Sequence, residues 1–483
     1  MCAKEPLESA TILEAIRIDS TKEKLELASS ITEDSLLSIC SNLLVIDSAS
    51  GTWKVSHLSV AEYFEQNRWS MQKADLHAVK SCLLLFLEAF ASDEHVMEYY
   101  QTGKGFFLEY AMNCWPEHAR VQEEEDQADY QSMIPLVKRF LGYSSEGSAY
   151  FQRYVAYVVG GYEIKLIASP LSAVCTYGLY YTLGDWWEYS EIDHWQGASD
   201  IESPLTLAAI SNSVPLCRKL VQRGEIVNTQ DIGGDGSALA AAAFQGNLEV
   251  VKFLCLEAGA DVDLLLNGAH HGSALAAAAF QGHLEMVKFL CLEAGADVNL
   301  LLTDVYGSAL AAAAFQGNLE IVRFLCLEAG ADVDLLLNGA HCGSALAAAA
   351  AAKGNLEIVK FLCLEAGADV NLLLTDIYGS ALAAAAFRGN LEIVKFLCLE
   401  AGADVNLLLK SSFGSALAAA AFQGNLEIVK FLLDAGANMD LPLENGRYGL
   451  FDIAEYHNYL ETVSGGSDTD WHHGIMTHKP CPR

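Results

Sequence analysis

From Gly236 to Asp261 the chain reads GSALAAAAFQGNLEVVKFLCLEAGAD. Ser237 offers a hydroxyl to a free amide at a helix start. Ala238 to Phe244 reads as a short helix whose alanines let a neighbour approach closely. Gly246 and Asn247 break it. Leu248 to Glu257 reads as a second helix, with Leu248, Val250, Val251, Phe253, Leu254 and Cys255 on a broad apolar face. Glu249 and Lys252 lie three residues apart on its polar side and can pair weakly. Gly259 stands where a left-handed residue would end that helix. Neither helix is long enough to persist alone in water.

The stretch recurs. Its Gly-Ser-Ala-Leu opening returns at Gly272, Gly307, Gly343, Gly379 and Gly414, in steps of 35 or 36 residues. A fixed period of this size predicts a solenoid, in which each unit buries its apolar face on its neighbours. Helix, Gly turn, helix and Gly-Ala-Asp together resemble the ankyrin repeat. That family's Thr-Pro-Leu-His opening stands here as Ser-Ala-Leu-Ala, while Leu239, Ala242, Ala243, Gly246 and Gly259-Ala260-Asp261 keep the pattern. In five copies the second helix reads one residue longer than the family's, and only the last, from Phe431 to Gly436, has the family length. Ser203-Pro204-Leu205-Thr206 is nearer the family opening, and Ser169-Pro170-Leu171 reads as a degraded first copy. Gly449 opens a half repeat, Leu450 to Tyr459, whose polar outer face suits a cap.

The expected fold is mainly α: an ankyrin-repeat solenoid preceded by a winged-helix-like module and a helical spacer. The boundaries are 1–68 for the module, 69–166 for the spacer, 167–461 for the repeats and 462–483 for a flexible tail. Repeats start near 169, 203, 236, 272, 307, 343, 379, 414 and 449. In the first segment, Leu7 to Ile18 and Glu33 to Cys40 read as helices. Leu43 to Asp47 and Thr52 to His57 read as a hairpin, and Ser59 to Glu62 as a capping box opening a helix through Phe64. Leu44-Val45-Ile46-Asp47, followed by His57 to Phe64, resembles the winged-helix module of fungal NACHT–ankyrin proteins, intracellular sensors of the NOD-like kind. Phe106 to Ala111, with Trp115 and His118, resembles a segment of the same proteins. In that family the module is an intramolecular arm, not a DNA reader. Glu123 to Asp126 reads as a solvated charge run.

Composition narrows the function. A net charge of −33 argues against direct contact with DNA, RNA or anionic membrane, which needs clustered Lys and Arg. Met1 to Ser20 carries charges throughout, so no signal peptide is expected, and no stretch is apolar enough to span a bilayer. An intracellular protein is expected, in cytoplasm or nucleus, with no basic import signal. Thirteen cysteines include the column Cys255, Cys291, Cys326, Cys363 and Cys398. Stacked helices about 8–10 Å apart cannot bring these within the roughly 7 Å a disulfide needs. No Cys-x-x-Cys pair suggests zinc. The column is expected to be reduced, buried and small, with Cys342, in a finger beside His341, exposed.

No catalytic constellation is found: no Gly-x-x-x-x-Gly-Lys-Ser/Thr phosphate loop, no Gly-x-Ser-x-Gly elbow, no His-Glu-x-x-His. No metal, cofactor or small-molecule substrate is expected. His270-His271 and His472-His473 read as ordinary exposed pairs. The unusual feature is the fingers, the extended stretches between repeats. Each of five carries three consecutive leucines, centred on Leu265, Leu301, Leu336, Leu373 and Leu408. An extended chain alternates faces, so each middle leucine points away from its two neighbours. One reading has the leucines bracing adjacent fingers. The other has one face lining a groove for an apolar helix or strand. A second column, Phe244, Phe280, Phe315, Phe387 and Phe422, ends the first helices and is the other candidate lining. It breaks at the copy from Gly343, where Ala347 to Ala352 runs on and one residue is added before Lys353-Gly354. The function expected is a non-enzymatic scaffold or adaptor holding a protein partner, regulatory in role, such as a transcriptional co-regulator working through that partner. The alternative is a sensor-arm remnant of a NACHT–ankyrin receptor without its nucleotide-binding domain.

Overall fold

The computed structural model describes residues 44–46, 53–55, 68–101, 105–123, 131–142, 147–159, 169–184, 186, 202–231, 236–266, 271–337, 340–352, 355–411 and 413–438. The helices read over 7–18, 33–40 and 59–64, the half repeat from Leu450 and the tail lie outside these residues. The chain divides into two compact units, Met1–Asp261 and Val262–Arg483.

In the first unit, β1 (Leu44–Ile46) pairs antiparallel with β2 (Trp53–Val55), Val45 opposite Lys54. The hairpin expected there is present over those residues. Five helices follow: α1 (Arg68–Ala89), α2 (Asp93–Gln101), α3 (Gly105–Glu123), α4 (Ile134–Leu141) and α5 (Ala149–Val159). Their shared interior is aromatic. Phe86 lies 5.1 Å from Phe140 and 5.4 Å from Tyr154, ring to ring, and Trp115 meets Tyr177 edge-on at 4.9 Å. Edge-on contacts of this kind add to the burial of large rings. Several polar side chains inside are paired. The Tyr154 and Tyr177 hydroxyls lie 3.2 Å apart, and buried His118 bridges Asp75 and Tyr110 at 2.7 Å on each side. Tyr177 ends α6 (Pro170–Tyr177), so the helical region and the first repeat-like helix share one core. Glu123 is not part of a solvated run: it is buried and accepts from the amides of Tyr181 and Thr182 at 2.5 and 2.8 Å. Burial pushes its carboxyl up against those hydrogen bonds.

Helix pairs then begin: α7 (Pro204–Ile210) with α8 (Val214–Gln222), and α9 (Ala238–Gln245) with α10 (Leu248–Leu256). The second unit continues with α11 (Ala274–Gln281), α12 (Leu284–Leu292), α13 (Ala309–Gln316), α14 (Leu319–Leu327), α15 (Ala345–Ala351) and α16 (Leu356–Leu364). It closes with α17 (Ala381–Arg388), α18 (Leu391–Leu399), α19 (Ala416–Phe422) and α20 (Leu426–Asp434). Within that unit, first helices stack on first helices and second on second, in a solenoid-like arrangement.

The same local devices recur from copy to copy, although His283 stands where the neighbouring copies have asparagine. The serine before each first helix accepts from an amide three residues on, as Ser308 does from Ala311 at 3.2 Å. The asparagine before the second helix has a further role. Asn318 donates through its side chain to the carbonyls of Ala279 and Phe280 in the preceding copy, at 2.8 and 2.7 Å. Asn355, Asn390 and Asn425 repeat this, satisfying carbonyls left open at the first helix's end.

The second helix is not longer in five copies. It spans nine residues in α14 and nine in α20 alike. The extra residue lies in the turn that follows. In α20 the Ala437 amide reaches back to Leu432, across the left-handed Gly436. In α14 the amides of Glu328 and Ala329 share the Phe324 carbonyl, and Ala331 reaches Leu325, one residue further back. The widened turn brings a leucine to the last helical position, where α20 has Asp434.

Candidate partner-binding surface

Each finger is closed by a backbone bond from its third leucine to the glycine that opens the next first helix: Leu302 to Gly307 at 2.9 Å, Leu374 to Gly379 at 2.9 Å. The third leucines, Leu266, Leu302, Leu337, Leu374 and Leu409, are buried. Leu302, Leu337, Leu374 and Leu409 rest on the opening glycines Gly272, Gly307, Gly343 and Gly379. At Gly307 (φ +78°) an added Cβ would come within 2.9 Å of the Leu337 and Ala340 Cβ atoms, so only glycine fits that left-handed, crowded position. These leucines brace neighbouring fingers. The first leucines are half-buried, and the middle ones, Leu265, Leu301, Leu336, Leu373 and Leu408, are 41–51% exposed.

Side-chain bonds stiffen the fingers in register. Asn299 accepts from the Asp332 amide at 2.7 Å and Asn371 from Asp404 at 2.7 Å; Asp263 and Asp334 do the same in the alternate copies. Asp304 accepts from Gly272, Tyr306 and Gly307, and Asp376 likewise from Gly343, Tyr378 and Gly379. Burial raises the Asp376 carboxyl's pKa in spite of those donors.

The phenylalanine column is a ladder. Phe244, Phe280, Phe315 and Phe387 are half-buried and Phe422 is exposed. Tyr306 lies 5.1 Å from Phe280 and 5.5 Å from Phe315; Phe413 lies 5.1 Å from Phe387 and 5.4 Å from Phe422. His271 is buried against Phe280 at 4.7 Å, and is not the exposed histidine expected. The ladder stops where Ala351 replaces phenylalanine, and there Cys342 is buried, not exposed. Burial pushes its thiol up to about 12. The column cysteines Cys255, Cys291, Cys326, Cys363 and Cys398 are half-buried instead of enclosed. Burial still moves Cys291, Cys326 and Cys363 up to about 12.

Sequence reading overlooked three partners of this surface: the aspartates that tie fingers together, the asparagine ladder and the aromatic residues His271, Tyr306, Tyr378 and Phe413 before four of the opening glycines. Each recurs in several copies, within a residue of the same distance from an opening glycine. That periodicity was the available signal. Among the described residues no group of three or more His, Cys, Asp or Glu is arranged to hold a metal, and no helix is long and apolar enough to cross a membrane.

Comparison with known proteins agrees with this geometry. Ankyrin repeat and SAM domain-containing protein 6 of Rattus norvegicus is 43% identical over 65 residues, 14% of this chain and 7% of that protein. The protein of the same name from Mus musculus is 42% identical over 65 residues, with the same coverage. The chain thus matches only a small fraction of the length of these relatives. A family model described as ankyrin repeats matches residues 190–265, 262–337, 331–408 and 382–464, more than half of the sequence. Stacked helix pairs, glycine-closed fingers and that match together place the chain in the ankyrin-repeat family, a protein-interaction module.

Proposed function

We propose that the protein is a regulatory adaptor that holds another protein against its finger face. The observation that carries this is the row of middle leucines in the second unit. Five apolar side chains are held out to solvent by fingers whose third leucines are buried and whose first leucines are half-buried. Val305 and Ile377, also exposed, extend the apolar area at the finger tips. Monomers seldom expose so much contiguous apolar surface without use. An apolar helix or strand lying along the fingers, beside the half-buried phenylalanines, is the partner this surface suits. A role in transcription would act through such a partner, because the acidic chain repels DNA directly.

The test compares captured partners between wild type and variants. Leu301→Ser with Leu373→Ser is expected to lose specific partners while the melting curve is unchanged. If partners are retained, or are lost only when the fold is lost, the finger face is not the docking surface. A second reading, a sensor arm of the NACHT–ankyrin type, draws support from the β1–β2 hairpin, as a winged helix carries such a pair. Binding of the isolated N-terminal segment to a nucleotide-binding domain of that kind would favour it.

A further inference from the structure

The widened turn leaves a second apolar surface, at the ends of the second helices. Leu292, Leu327, Leu364 and Leu399 each end a second helix and are between 57 and 71% exposed. They occupy the same position on α12, α14, α16 and α18, each packed on the next, so they form one ridge. The ridge has a defined end. On α20, where the turn has the family length, the position is Asp434. The first unit shows the same contrast between Gln222 on α8 and Leu256 on α10, the latter 61% exposed. Leucine therefore accompanies the extra turn residue, and a polar residue its absence.

Charge and spacing indicate what covers the ridge. Each copy sets two exposed glutamates against one cation on this face, as with Glu285, Lys288 and Glu293. Lys288 engages Glu285 at 2.9 Å, while Glu293 directly follows the ridge residue Leu292. Beyond Leu364 the corresponding Glu365 is held by Arg323 at 2.8 Å, so the glutamates after Leu292, Leu327 and Leu399 carry the charge offered to a partner. A second copy of a chain of net charge −33 would bring two acidic faces together. Stacked helices stand about 8–10 Å apart, and one heptad of a helix rises about 10.5 Å. A helix lying across the stack thus meets a ridge leucine about once per heptad.

We propose that the ridge of Leu292, Leu327, Leu364 and Leu399 docks a basic amphipathic helix of another protein, with one apolar residue per heptad seated between successive leucines and lysine or arginine facing the flanking glutamates. The ridge residues are distinct from the finger leucines, so the two surfaces can be altered independently.

The test uses the full chain and a fluorescent helical peptide of roughly twenty residues, with leucine at every seventh position and lysines on either side. Anisotropy is expected to show saturable binding. Leu327→Ser with Leu364→Ser should weaken it about tenfold or more with an unchanged melting curve. The finger variant Leu336→Ser with Leu373→Ser should bind as wild type. Bound peptide should also slow alkylation of Cys326 and Cys363, each directly before a ridge leucine. The proposal is overturned by absence of saturable binding, by equal binding of a peptide with its leucines scrambled, or by loss that follows the finger variant. Ridge-dependent dimers in sedimentation without peptide would overturn it too, since the occupant would then be a second copy.

Discussion

The helical region of the first unit and the repeats of the second solve the same problem with opposite materials. Between α1 and α5 a few large rings, Phe86, Phe90, Trp115, Phe140 and Tyr154, fill one interior that no sequence period announces. In the repeats the first helices bury runs of alanine, as in Ala309 to Ala314, and gain hydrogen bonds between copies. Alanine buries little area, roughly in proportion to its size. It lets helices approach closely, however, and the asparagine and aspartate bonds then fix the register. One region depends on particular side chains meeting once, the other on a small set of contacts made many times.

Trp115→Ala should give the largest effect. It removes a fully buried indole from a shared core and should cost about 3–5 kcal/mol, read by chemical denaturation as an earlier, cooperative loss of the first unit. A loss below about 1 kcal/mol would mean that the aromatic interior is not what holds that region together. In the repeats, Leu337→Ala should cost about 2 kcal/mol, and the damage should stay local. Hydrogen exchange should quicken in the fingers beside it and not in distant copies. A uniform rise through the second unit would break the contrast.

Asn355→Ala tests the ladder. It leaves the Ala314 and Phe315 carbonyls without that donor, for about 1–2 kcal/mol. Asn355→Asp should be no better, because a carboxylate cannot donate. A neutral result would move the repeats' stability back onto packing alone.

The smallest effect concerns pH. Burial raises the Cys326 thiol from an ordinary value of 9.0 to about 12. The native state therefore favours the neutral thiol. Its contribution is complete below pH 9.0 and is lost as pH rises toward about 12. Cys326→Ala should flatten the stability profile slightly across that window and leave it unaltered near neutrality. Alkylation of the native protein at neutral pH should be slow for Cys326 and Cys342 alike.

Legibility followed periodicity. The serine caps, the glycine stops and the burial of Val250, Leu254 and their equivalents are local or period-driven, and recurring copies made them readable. The fate of Cys342 and His271 was not readable. Each sits beside a finger, and its burial depends on which aromatic ring the next copy brings over it. The extra residue was visible in the sequence, but its place was not. A helix can lengthen or its closing turn can widen, and only the hydrogen bonds after Phe324 decide between them.

What the sequence alone determined is the repeat: its length, its two helices, its glycine and serine punctuation, and its family. These follow from 3.6-residue periodicity and from residues with strong local preferences. Tertiary structure alone decided which leucine of each finger is buried, which thiols are half-covered, and that the second helices end in a row of exposed leucines. Those outcomes depend on what the neighbouring copy places against each side chain, and exposure is a property of that contact, not of the residue.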